Sequence, residues 1–179
     1  TLTIDGEDTV IDIIKATEGI ESKNVLTINN GIIDIVSSDD AINATNAINI
    51  NGGKVYVRAT NNDGIDSNGT LTMNGGLLIG IGSREPEGGI DVDNNTSLVI
   101  NGGIAIGVGG NMMGTPATSS TQYSVVYGGV TTSNGVKIAV LNSSNEPLFT
   151  FEAPTALSNS TLFFSTPDIT NGATYTVSS

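Results

Sequence analysis

Cysteine and histidine are both missing from the 179 residues, and six lysines and arginines stand against eighteen acidic side chains. Without cysteine there is no disulfide scaffold. Without either residue a zinc site loses its usual ligands, which leaves oxygen as the ligand type for any metal. A formal charge of -12 repels nucleic acid and anionic lipid and makes both poor partners. No apolar run reaches transmembrane length, so no membrane span is expected. The chain opens at Thr1 in a strand-like Leu2-Thr3-Ile4 rather than in a signal peptide, as a mature or trimmed product would. Helical patterning is absent too: β-branched residues crowd the apolar positions, and no long stretch free of glycine carries a 3.6-residue period.

What the chain does contain is one phrase written four times, with a spacing of 22 to 27 residues. An acidic residue (glycine in the fourth copy), a small residue, isoleucine and a second polar position lead into a largely apolar triplet and an Asn-Gly turn. The phrase reads Glu18-Gly19-Ile20-Glu21, Asp40-Ala41-Ile42-Asn43, Asp63-Gly64-Ile65-Asp66 and Gly88-Gly89-Ile90-Asp91. A period of this length means one supersecondary unit stacked on copies of itself, so each repeat position becomes a column along the molecule.

Within each repeat the alternation is strand-like, as in Leu26 and Ile28, Ile48 and Ile50, Leu71 and Met73, and Leu98 and Ile100. A second strand follows each turn glycine: 32–36, 54–58, 77–81 and 104–108. Two or three short strands per unit suit one coil of a parallel β-helix, stacked at about 4.8 Å per coil. The expected fold is therefore all-β: a short right-handed parallel β-helix of about five coils over residues 1–110, with Ile20, Ile42, Ile65 and Ile90 as an inward ladder. In the third and fourth repeats Leu77, Ile79, Ile81, Ile104, Ile106 and Val108 occupy outward positions opposite Gly80 and Gly107. Either the parity flips there or something covers that face.

After a loop at 111–122 the texture changes. Strand-like segments at 123–127, 136–141, 148–151, 162–164 and 175–177 alternate with turns such as Asn134-Gly135 and Asn171-Gly172, which reads as an antiparallel meander. All four phenylalanines lie in it. Residues 123–179 are expected to form a cap on the last coil, since solenoids need closed ends.

The chemistry gathers at the acidic columns. Glu18, Asp40 and Asp63 share one, and Glu21, Asn43, Asp66 and Asp91 the next. Carboxylates one coil apart would lie about 5 Å from each other and repel by about 1 to 3 kcal/mol per pair. A calcium ion between coils offsets this, because it takes six to eight oxygens at about 2.3 to 2.6 Å. Asp39, Asp40, Asp63 and Asp66 are the expected ligands of the most oxygen-rich site, with Glu18, Glu21 and Asp91 serving neighbouring ones. The competing reading makes these acids solvated turn residues. Asp91-Val92-Asp93-Asn94-Asn95 has the opening spacing of an EF-hand, but Thr96 replaces its glycine and Gly102 its glutamate. Lys54, Tyr56 and Arg58 share the outer face of one coil, as a contact for an anionic sugar or as an ordinary wet strand face.

The coils Ser37-Ser38-Asp39-Asp40-Ala41-Ile42-Asn43-Ala44 and Asn62-Asp63-Gly64-Ile65-Asp66-Ser67, the Asn-Gly-Gly strand starts, the glycine-rich end through Met113, and the tail segments Leu148-Phe149-Thr150-Phe151 and Ser165-Thr166-Pro167-Asp168 together resemble one family. It is the family of secreted bacterial carbohydrate-binding parallel β-helices related in fold to pectate lyases. The resemblance implies calcium at the acidic turns, export to the cell surface, and binding of acidic polysaccharide such as polygalacturonate, with cellulose as a second polymer. At matching positions it again points to Asp39, Asp40, Asp63 and Asp66. Ala41 stands where glycine is usual, and the coils are few.

Three functions follow as expectations. The first is an extracellular, non-catalytic calcium module that binds acidic polysaccharide. The second is a subunit that assembles with itself head to tail into a cell-surface filament, through an exposed β-helix end. The third is a polysaccharide lyase, which would need Lys54 or Arg58 as its base.

Overall fold

The computed structural model describes residues 1–93, 97–110 and 115–179. Among them every regular element is a strand. In the first coil β1 (Leu2–Ile4), β2 (Val10–Ala16) and β3 (Ile20–Ser22) follow one another around the axis. The second coil repeats them as β4 (Val25–Ile28), β5 (Ile32–Ser37) and β6 (Ile42–Ala44). The third has β7 (Ala47–Ile50), β8 (Lys54–Ala59) and β9 (Ile65–Ser67), and the fourth β10 (Thr70–Met73), β11 (Leu77–Ile81) and β12 (Ile90–Val92). A fifth coil supplies β13 (Leu98–Ile100) and β14 (Ile104–Gly109).

Each strand pairs in parallel with its counterpart in the next coil, so the solenoid has three walls, β1-β4-β7-β10-β13, β2-β5-β8-β11-β14 and β3-β6-β9-β12. This is the expected parallel β-helix of about five coils. The register is the one the repeats imply: Ile20, Ile42, Ile65 and Ile90 face each other rung by rung. Ile42 and Ile65 are fully buried, and each such side chain is worth about 1.5–3 kcal/mol. The turn between the first two walls needs a left-handed residue in every coil. Gly76 and Gly103 supply it at φ 84° and 85°, and a Cβ on Gly76 would meet the Gly53 carbonyl oxygen at 2.7 Å.

The parity of the second wall does not flip. Leu78 and Gly80 of β11 pair with the inward Val55 and Val57 of β8, so Ile79 and Ile81 point outward. What covers them is the C-terminal region, made of β15 (Ser124–Thr132), β16 (Lys137–Leu141), β17 (Pro147–Glu152), β18 (Leu157–Ser165) and β19 (Thr176–Ser178). Leu162 and Phe164 bury against Ile81, Ile106 and Val108 in a second core, with Ile79, Ile104 and Tyr56 packed on it. Phe163, of opposite parity, joins the solenoid's own core.

The strand order departs from a meander. β18 pairs antiparallel with β14 and so extends the second wall, β15 pairs with β18, and β17-β16-β19 form a separate antiparallel sheet. The edge of β14 needs a partner, and the alternating Phe163 and Phe164 fill the solenoid interior and the outer strip at once. Part of the expected loop, residues 115–122, runs along β13 as an irregular further rung, where Pro116 bridges Leu98 in parallel and the Gln122 N–H donates to the Ile100 carbonyl at 3.1 Å. Residues 111–114, with Met113 of the glycine-rich end, and residues 94–96 of the EF-hand-like segment lie outside the described residues.

Candidate functional site

The acidic columns stand at the corner between the second and third walls. Backbone hydrogen bonds carry the stacking through this corner, Gly19 N–H to the Asp40 carbonyl at 3.2 Å and Ala41 N–H to the Asp63 carbonyl at 3.2 Å. The side chains then have defined tasks. Asp40 Oδ1 accepts the backbone N–H of Asp63 at 3.1 Å, and Asp63 Oδ1 that of Gly88 at 2.5 Å, so each carboxylate caps its own column one coil further on. Asn43 Nδ2 donates to Asp40 Oδ2 at 3.1 Å and to Asp66 Oδ2 at 2.7 Å, and Asn62 Nδ2 donates to Asp39 Oδ1 at 2.6 Å.

These bonds leave the charge uncompensated. Among the described residues the one ion pair joins Lys23 to Glu21, at the exposed edge of the group. Burial, followed by repulsion from Asp91, Glu87 and Asp40, pushes the Asp63 carboxyl up to about 7, against the Gly88 N–H, which lowers it. Burial and then Asp40, Asp91 and Asp93 push Asp66 up to about 7 as well. Asp91 is raised, first by burial, and its Oδ1 is buried with no hydrogen-bond partner among the described residues. Glu18 is raised by burial, then by Asp40 and Asp39.

Among the described residues, one acidic group could hold a metal ion. Glu18, Asp39 and Asp40 each offer a carboxylate oxygen, and the three oxygens lie within 4.8 Å of one another. Two oxygens on one calcium at about 2.3–2.6 Å are at most about 4.6–5.2 Å apart, so the residues present fit that ion. The group joins coils one and two, since Glu18 follows β2 and Asp39 and Asp40 follow β5. Asp63 and Asp66, expected in the same site, stand beside it: Asp63 caps Gly88, and Asp66 is tied to Asp40 through Asn43. Glu21 pairs with Lys23, and Asp91 belongs to the upper end of the column.

A family model described as carbohydrate-binding domain-containing protein matches residues 1–146. The chain belongs to this carbohydrate-binding family. No curated protein and no solved structure matches it. The match takes in all five coils with β15 and β16, so the acidic corner lies inside the span shared with the carbohydrate-binding family, and β17, β18 and β19 lie beyond it.

Of Lys54, Tyr56 and Arg58, the last two are placed differently from a wet strand face. Tyr56 and Arg58 pair with Ile79 and Ile81 in the next coil, so they begin the strip that the C-terminal strands cover. Tyr56 packs on that second core, and burial is the first cause raising its phenol. Arg58 Nη1 donates to the Pro154 carbonyl at 3.2 Å. Lys54 is exposed. The parity of β8 is readable in the sequence, but the cover over it comes from residues almost a hundred positions away.

Two features of the corner go beyond the sequence reading. One is the capping of backbone N–H groups by Asp40 and Asp63, which the aspartates shared by the two repeats could have suggested. The other is Asn43, which stands where the other repeats carry an acid and bridges two carboxylates instead of adding a third charge.

Proposed function

We propose that this protein is an extracellular, non-catalytic module that holds acidic polysaccharide at the cell surface through calcium captured at the acidic corner. The observation that carries the reading is the convergence of Glu18, Asp39 and Asp40 oxygens within 4.8 Å beside the uncompensated Asp63, Asp66 and Asp91. A chain with charge -12 repels an acidic polymer unless cations stand between them, so one ion would serve both binding and stability. Glu18 is exposed and Asp39 half-buried, so an ion held there is open to a further carboxylate from a sugar. Membership of a carbohydrate-binding family supports the binding part of this reading.

Retention on polygalacturonate with and without calcium tests the proposal. Binding that appears with calcium and disappears with EDTA, together with a fall in melting temperature, is expected. Equal retention in both conditions would sink it.

A further inference from the structure

The structure assigns a second glycan site, for an uncharged sugar chain, to a cleft built around Tyr123. The assignment shares the carbohydrate-binding reading of the family but is independent of calcium. A cleft of about 330 Å³ opens where the last Asn-Gly turn, the irregular rung and the loop after β18 meet, at the far end of the solenoid along its axis. Asn101, Thr121 and Gln122 give it amide and hydroxyl groups; Tyr123, Pro167 and Ile169 give it apolar surface; none of the lining residues is charged. Ligand pockets of this size combine a mainly apolar lining with a few fixed polar groups.

Three observations point to sugar as the occupant. Most aromatic rings of the chain are packed away, whereas Tyr123 leaves 54 % of its surface exposed at the cleft. An amphipathic ring of this kind stacks on the apolar face of a pyranose while its hydroxyl stays wet. Gln122 is held in place by the Gly103 carbonyl at 3.0 Å and the Ser165 hydroxyl at 2.8 Å, so the polar side of the cleft is pre-set.

The third observation is a ladder leading into the cleft. Asn101 donates to Asn74 at 2.9 Å, Asn74 to Asn51 at 2.8 Å and Asn51 to Asn29 at 2.8 Å, all along one corner of the solenoid. Each amide has two donor hydrogens and two acceptor lone pairs, and the ladder uses one of each. The remainder form a row of neutral donors and acceptors spaced at one coil, about 4.8 Å, beside a wall whose segments 24–31, 46–53, 69–76 and 97–103 contain no charged residue; at the end away from the cleft the row stops at Asp5, whose Oδ2 accepts from Asn29 Nδ2 at 3.4 Å. In a chain otherwise this acidic, such a row suits polyhydroxylated, uncharged polymer and supplies no cation to offset the charge of a carboxylated one.

Native electrophoresis in gels containing hydroxyethylcellulose, xyloglucan or galactomannan tests the site, with polygalacturonate plus calcium as a separate gel. Retardation in at least one neutral gel, unaffected by EDTA, is expected. Tyr123→Ala should weaken it at least tenfold, Tyr123→Phe should keep it, and Tyr127→Ala, an exposed ring on β15 outside the cleft, should leave it unchanged. No retardation in any neutral gel, or retardation that Tyr123→Ala does not alter, overturns the assignment. Calcium-dependent retardation by polygalacturonate reports on the acidic corner alone, so the two readings fail separately.

Discussion

Asp63 Oδ1 accepts the backbone N–H of Gly88 at 2.5 Å from one coil away, which makes a buried carboxylate a structural cap as well as a charge. Replacing it separates the two tasks. Asp63→Asn keeps an oxygen for the N–H and removes the charge, so without metal it should fold at least as stably as the parent. Asp63→Ala leaves a buried donor unpaired, and a loss of about 1–3 kcal/mol in urea unfolding is expected.

Stability without metal should fall as pH rises. Asp63 and Asp66, with an ordinary value of 3.8, sit at about 7 in the folded chain. Between those values the folded state retains protons that the unfolded state has released, so raising the pH through this window favours unfolding. In EDTA the melting temperature should be higher at pH 5 than at pH 7.5, and the difference should shrink in the Asp63→Asn, Asp66→Asn double variant. Calcium needs the deprotonated form, so its stabilising effect should be larger at pH 7.5. A flat profile in EDTA would count against the buried-carboxylate account.

Removing the converging oxygens should weaken calcium without breaking the fold. Glu18→Gln with Asp39→Asn is expected to lower affinity at least tenfold by isothermal titration calorimetry, while the far-ultraviolet circular dichroism stays that of the parent. An amide in place of the Asp39 carboxylate keeps an oxygen that accepts from Asn62 Nδ2, so the bond between the two coils survives the loss of charge.

The inward ladder carries the solenoid. Ile65→Ala removes a fully buried side chain between two others and should cost about 2–5 kcal/mol, whereas Ile14→Ser, at a site 82 % exposed, should change stability by less than about 0.5 kcal/mol.

The cover over the second wall is expected to matter for solubility as well as stability. Phe164→Ala should cost about 3–5 kcal/mol and uncover Ile79, Ile104 and Ile106, seen as increased binding of a hydrophobic dye before global unfolding.

Much of this architecture is readable because stacked coils are self-similar. Ile20, Ile42, Ile65 and Ile90 recur at one phase of the repeat, and a column in the chain becomes a column in space. The same logic locates the acidic corner but not its centre. Repetition weighs all coils alike, whereas the oxygens of Glu18, Asp39 and Asp40 come together between coils one and two, and Asn43 replaces a charge with a bridge. The outward isoleucines pose a question of parity that the repeats cannot answer, since the cover arrives from β18, outside the periodic region.

The order of residues alone determined the coil length, the alternation of faces in the first two repeats, and that any metal would meet oxygen ligands, because these depend on local alternation and on which side chains exist at all. Only the tertiary structure decided which carboxylates converge, that Tyr56 and Arg58 lie under the C-terminal strands, and that Tyr123 meets Asn101 and Pro167 in one cleft. The first depends on how side chains of adjacent coils pack at one corner; the other two depend on contacts between segments far apart in the chain, where closure of the solenoid end, rather than the repeat, sets the distances.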